Sequence, residues 1–121
     1  MPPRDPLSPH LVPRVKVWFS FKRGFLMGPN YLRFPEAVEK TGTIRGAAEA
    51  AGWSYRTCLN RVRQMEDALG QPVLVTTRGG SRHGGSKLTP VARRLLRVFR
   101  AWRADVQLLS DRSFRKAMRR F

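Results

Sequence analysis

The chain has 121 residues, 41% of them hydrophobic, which suffices for one small domain and is too little for two ordinary ones. Lys and Arg number 24 against 8 Asp and Glu, a formal charge of +16. A field that strong calls for a polyanionic partner, either nucleic acid or an anionic membrane, while the single cysteine, Cys58, excludes an intrachain disulfide and a thiolate metal cluster.

Residues 1–13 carry five prolines, which rules out a helix or a ladder and predicts a disordered lead-in. In "RVKVWFSF" Val15, Val17, Phe19 and Phe21 alternate with Lys16, Trp18 and Ser20, a strand pattern. With the turn "KRG" and the short return "FLMG", residues 15–28 predict a β-hairpin. "PNYLRFPEAVEKTG" predicts a first helix with Asn30 as N-cap and Gly42 as stop. Pro35 forces that helix either to begin near residue 35 or to bend. "TIRGAAEAAG" predicts a short helix capped by Thr43 and stopped by Gly52, and a longer one follows, capped by Ser54 and stopped by Gly70. "QPVLVTTR" is β-branched and predicts a strand; "GGSRHGGS" predicts a flexible loop and "KLT" a short returning strand. Thr89 before Pro90 predicts the start of a long helix running to about Ser110. Residues 111–121 form a basic tail, so the folded domain is expected over residues 14–110.

The two helices around Gly52 carry the chemistry. The first offers Ala47, Ala48 and Ala51, small enough for close helix approach; the second spaces Cys58, Val62, Met65 and Leu69 into one apolar stripe. Trp53 is expected to join that core. Opposite the stripe stand Arg56, Asn60, Arg63 and Gln64, with Ser54, Tyr55 and Thr57 near the N-terminal end. Arg bonds guanine bidentately and Asn bonds adenine, so this face has the residue types that read base edges. A short helix, a glycine turn and such a second helix make a helix-turn-helix. The alternative is a helical hairpin whose polar face is merely solvated. The hairpin after the second helix would be a wing, with Arg78, Arg82 and Lys87 on phosphates or in a minor groove, and His83 adding charge when protonated. The same loop falls short of a P-loop, because "GGSKLTP" has Ser before Lys and delays the helix. His10 and His83 stand far apart without co-ligands, so no metal site is expected.

On the last helix Val91, Leu95, Val98, Trp102, Val106 and Leu109 share one seam, widened by Leu96 and Phe99. One small domain covers only part of such a stripe, so Val91, Leu95, Val98, Phe99, Trp102 and Val106 are expected to pair with a second copy.

The run from "GPNYLRFPEAVEKTGTIRGAAEAAGWSY" through "ALGQPVL", the glycine-rich wing and "LTPVARRLL" resembles the N-terminal DNA-binding domain of ModE-type molybdate-responsive regulators. More distantly it is similar to the winged helix of LysR-type regulators. The resemblance spans about residues 15–110. It implies that the first hairpin and the helix after the wing take part in dimerisation. In full-length members paired oxyanion-binding domains follow; these 121 residues leave no room for them, so molybdate sensing is not carried over. Pro35 sits where the family usually has an uninterrupted helix.

The expected fold is mainly α with small β: a winged helix-turn-helix with an N-terminal β-hairpin and a long C-terminal helix. The expected function is sequence-specific binding of double-stranded DNA by a homodimer that regulates transcription, in the cytoplasm at the nucleoid. No membrane partner, cofactor or enzymatic activity is expected, since no nucleophile–base pair or paired-carboxylate cleft is visible. An architectural DNA-binding protein of low specificity, and a winged-helix module that docks an acidic protein, are the competing readings.

Overall fold

The computed structural model describes residues 5–77 and 85–121. Its first ladder is shorter than the alternation predicts: β1 (Phe19–Phe21) pairs antiparallel with β2 (Gly24–Met27). The register slips between Phe19 and Ser20, so that Phe19 opposes Met27 while Ser20 opposes Phe25. That irregularity undoes the strict two-residue alternation. Val17 is buried and Phe19 half-buried, whereas Val15 and Phe21 stay exposed.

The first predicted helix is two elements. A 3-10 turn over Pro29–Tyr31 has Pro29 at its start, and α1 (Arg33–Thr41) follows from Leu32. Asn30 therefore lies inside the 3-10 turn and is not the N-cap; no side chain caps α1. Pro35 is the third residue of α1. First-turn N–H groups have no acceptor within the helix, so a proline there removes no bond and forces no bend. Gly42, at φ 74°, ends α1 and returns its N–H to the Val38 carbonyl.

The next two helices form where their caps predict. Thr43 Oγ1 accepts from Gly46 N (3.0 Å) to open α2 (Ile44–Ala51), and a Cβ at residue 46 would come within 2.7 Å of that oxygen. Glycine is thus part of the cap. Ser54 Oγ accepts from Thr57 N (3.0 Å) to open α3 (Tyr55–Leu69). Ala47, Ala48 and Ala51 are buried, as are Cys58, Val62, Met65 and Leu69. Trp53 is only half-buried, its ring stacked 6.3 Å from that of Phe34.

The Glu66 carboxylate accepts from Val73 N (2.8 Å) and closes the turn into β3 (Leu74–Thr77). The returning strand β4 spans Gly85–Leu88, beginning two residues before Lys87, and pairs Leu74 with Leu88 and Val75 with Lys87. Two backbone bonds seat this second hairpin. Ser86 N donates to the Gly42 carbonyl (2.7 Å), at the turn between α1 and α2, and Thr89 N donates to that of Val73 (3.0 Å). Thr89 Oγ1 donates to the Pro72 carbonyl (2.9 Å) and accepts from Ala92 N, so one residue closes the hairpin and caps the last helix.

That helix, α4, runs unbroken over Pro90–Arg120, 31 residues. The basic tail expected after Ser110 continues it, because nothing from Val91 onward is glycine or proline, and Arg119 and Arg120 suit the negative end of the helix dipole. Ala92, Leu96 and Phe99 enter a core shared with Val17, Leu26 and Met27 of the first hairpin and with the buried faces of α1, α2 and α3. Phe19 meets Phe99 edge-on and stacks on Trp102, each at 5.0 Å between ring centroids. An exposed ion pair, Arg100 to Glu36 (3.2 Å), joins α4 to α1.

Candidate nucleic-acid interface

Helix α3 has 3.6 residues per turn, so burying Cys58, Val62, Met65 and Leu69 sends Arg56, Asn60 and Arg63 to the opposite side. All three are exposed, and none has a hydrogen-bond or ion-pair partner among the described residues. They are uncommitted donors and acceptors on one face. Ser54 and Thr57 differ: Ser54 Oγ accepts the Thr57 N–H and donates to Thr57 Oγ1 (2.9 Å), so both hydroxyls are engaged in starting the helix. Tyr55, 47% exposed, opens α3 at the edge of this face, with the Arg45 guanidinium 5.7 Å from its ring centre.

The flank of α3 towards the 3-10 turn holds a feature the sequence reading missed. The Arg61 guanidinium lies 4.2 Å from the Trp53 ring centre and 4.9 Å from that of Tyr31. Tyr31 in turn donates its hydroxyl to Gln64 Oε1 (3.1 Å) and packs on Phe25 of the first hairpin. Arg45 and Arg61 were hard to single out among so many arginines. The one available signal was the tryptophan immediately before the Ser54 cap, placed to meet a side chain two turns along the helix.

On the second hairpin Lys87 is exposed. Arg78, Arg82 and His83 lie outside the described residues, as does the glycine-rich tip. Cys58 is fully buried; desolvation raises its thiol pKa, with the Arg61 charge pulling the other way. Among the described residues no group of three or more His, Cys, Asp or Glu could hold a metal ion, and no helix is long and apolar enough to cross a membrane.

The seam residues of α4 divide. Phe99 has no exposed surface and belongs to the chain's own core, which takes it out of any contact with a second copy. Val98, Trp102 and Leu109 are 48%, 38% and 64% exposed, while Val91, Leu95 and Val106 are half-buried against the core.

Two helices joined at Gly52, the second with a buried stripe and an uncommitted polar face, followed by a β-hairpin seated on the first turn, define a winged helix-turn-helix protein. The sequence comparison agrees. The model of the bacterial regulatory helix-turn-helix protein, lysR family, matches residues 29–93, more than half of the chain. The chain belongs to that family, whose members are transcriptional regulators and not enzymes. Its relatives include the molybdenum transport protein ModE of Azotobacter vinelandii, 30% identical over 89 residues (74% of this chain, 33% of the relative). The molybdenum-pterin-binding protein MopB of Rhodobacter capsulatus is 35% identical over 97 residues (80% and 36%). The transcriptional regulator ModE of Haemophilus influenzae is 28% identical over 85 residues (70% and 33%). The chain thus spans about a third of the length of these relatives. Among solved structures, ArgP from Mycobacterium tuberculosis aligns with 72% of this chain and 29% of its own at 23% identity, with a TM-score of 0.46.

Proposed function

We propose that this chain binds double-stranded DNA sequence-specifically as a homodimer and thereby regulates transcription. Helix α3 enters the major groove, and the second hairpin lies along phosphates or a minor groove. The observation that carries the reading is the exposed face of Arg56, Asn60 and Arg63 opposite a buried stripe, on a helix capped by Ser54 and packed into the core. Arg and Asn are the side chains that discriminate guanine and adenine in the major groove. Tyr55 and Thr57 border that face, and Lys87, with Arg78 and Arg82, supplies phosphate charge. The apolar Val98, Trp102 and Leu109 on α4 support pairing with a second copy, joined by Val91, Leu95 and Val106 at its margin. The protein then works at the nucleoid, in the cytoplasm. The molybdenum in the relatives' names belongs to those longer proteins; the role proposed for this chain is the DNA step alone.

Selection of bound sites from random duplex DNA tests the reading. The expected result is an enriched palindrome whose half-sites are about 34 Å apart, or a multiple of that, as two groove-inserted helices require. Duplex binding without enrichment would favour an architectural protein. Failure to bind duplex at all would leave a protein-docking module.

A further inference from the structure

We propose that Arg61 is a DNA-phosphate ligand held ready by the rings of Trp53 and Tyr31. The proposal rests on the DNA-binding reading and adds to it a residue outside the base-reading face.

A guanidinium offers two flat faces and an edge of N–H donors. The Arg61 guanidinium carbon lies over both rings, 4.2 Å from the Trp53 centre and 4.9 Å from that of Tyr31. Its N–H groups are unspent: no carboxylate, carbonyl or hydroxyl among the described residues accepts from them. The rings are themselves anchored. Trp53 N donates to the Ala48 carbonyl (2.9 Å) and its ring stacks on Phe34; the Tyr31 hydroxyl donates to Gln64. The charge is therefore held between two anchored rings with its donors unspent, in a chain whose +16 already opposes any cation that has no task.

Placement selects the anion. Arg61 follows Asn60 by about 100° around α3, which puts it on the flank of the helix and not on the face of Arg56, Asn60 and Arg63. When a helix lies in a major groove its flanks meet the sugar–phosphate walls, and contacts there fix register without reading sequence. An arginine suits this role for two reasons. Its fork matches two phosphate oxygens, and stacking removes beforehand most of the rotamer freedom that binding would otherwise cost.

The test uses the full chain, its selected duplex and a random duplex, titrated at several salt concentrations. Arg61→Gln should weaken both duplexes by a similar factor, about five- to tenfold, and flatten the log–log salt slope by about 0.9, one phosphate contact. Arg61→Lys keeps the charge without the planar fork and should lose less affinity with the slope unchanged. Tyr31→Leu removes one stacking ring and should weaken binding with the slope again unchanged, while Tyr31→Phe retains it. Thermal melting establishes that each variant folds, and the Lys and Tyr31 variants carry the test if the Gln variant does not. A loss confined to the selected duplex with an unaltered slope would make Arg61 a brace for α3 and overturn the proposal, as would unchanged affinity. If the parent chain bound neither duplex, the DNA-binding reading itself would fall.

Discussion

At the scale of residues, the division of labour on α3 is between side chains spent on the fold and side chains left over. Ser54 and Thr57 use their hydroxyls on each other and on the first turn. Arg56 and Asn60, exposed and unpaired among the described residues, carry no such duty. Replacing either by Ala should therefore cost roughly 1–3 kcal/mol at the selected site and little on random duplex, with the melting temperature unchanged. Competition binding against random DNA checks this; equal losses on both would move recognition elsewhere. Val62→Asp is the contrasting variant: it places a carboxylate among Cys58, Met65 and Leu69 and should unfold the domain. The caps were legible beforehand, because a threonine or serine ahead of an apolar period has a local physical meaning. Asn30 misled for the same reason. It has the chemistry of a cap, but Pro29 starts a separate 3-10 turn ahead of it, and α1 begins without a side-chain cap. The placement of Arg61 over two rings was not legible, since Tyr31 reaches it from thirty residues away.

At the scale of elements, helix periods read better than strand periods. The four-three-four stripe of α3 is buried as spaced, while one register slip in β1 parts Phe21 from Val17 and Phe19. A three-residue strand is too short to impose its alternation on the chain around it. Helix α4 was legible as a helix but not in its division of roles, because adjacent stripes of a wheel look alike until the rest of the domain has covered one. Phe99 went inward with Ala92 and Leu96; Val98, Trp102 and Leu109 did not. That split gives two distinct outcomes. Val98→Asp or Leu109→Asp should leave the fold intact and turn the proposed dimer into monomer, seen by sedimentation. Phe99→Ala should instead destabilise the fold by about 3–5 kcal/mol, seen in a urea titration. A dimer indifferent to charge at both exposed positions would place the subunit contact off this seam.

At the scale of the molecule, 24 basic residues against 8 acidic make DNA affinity a matter of displaced counterions. With about eight phosphates neutralised, the log–log slope of affinity against salt should be near −7. Affinity that held constant between low and physiological salt would overturn the electrostatic account. The composition alone announced this, since net charge needs no fold to be read; which cations face the duplex did need one. The length of α4 carries a mechanical consequence. Its last packing against the core is at Val106, and the helix onward to Arg120 makes a rod of about 21 Å. Pivoting by about 10° there swings the far end through about 4 Å. Whatever grips the distal end therefore pulls on the packing of Trp102 and Val106 against the rest of the domain.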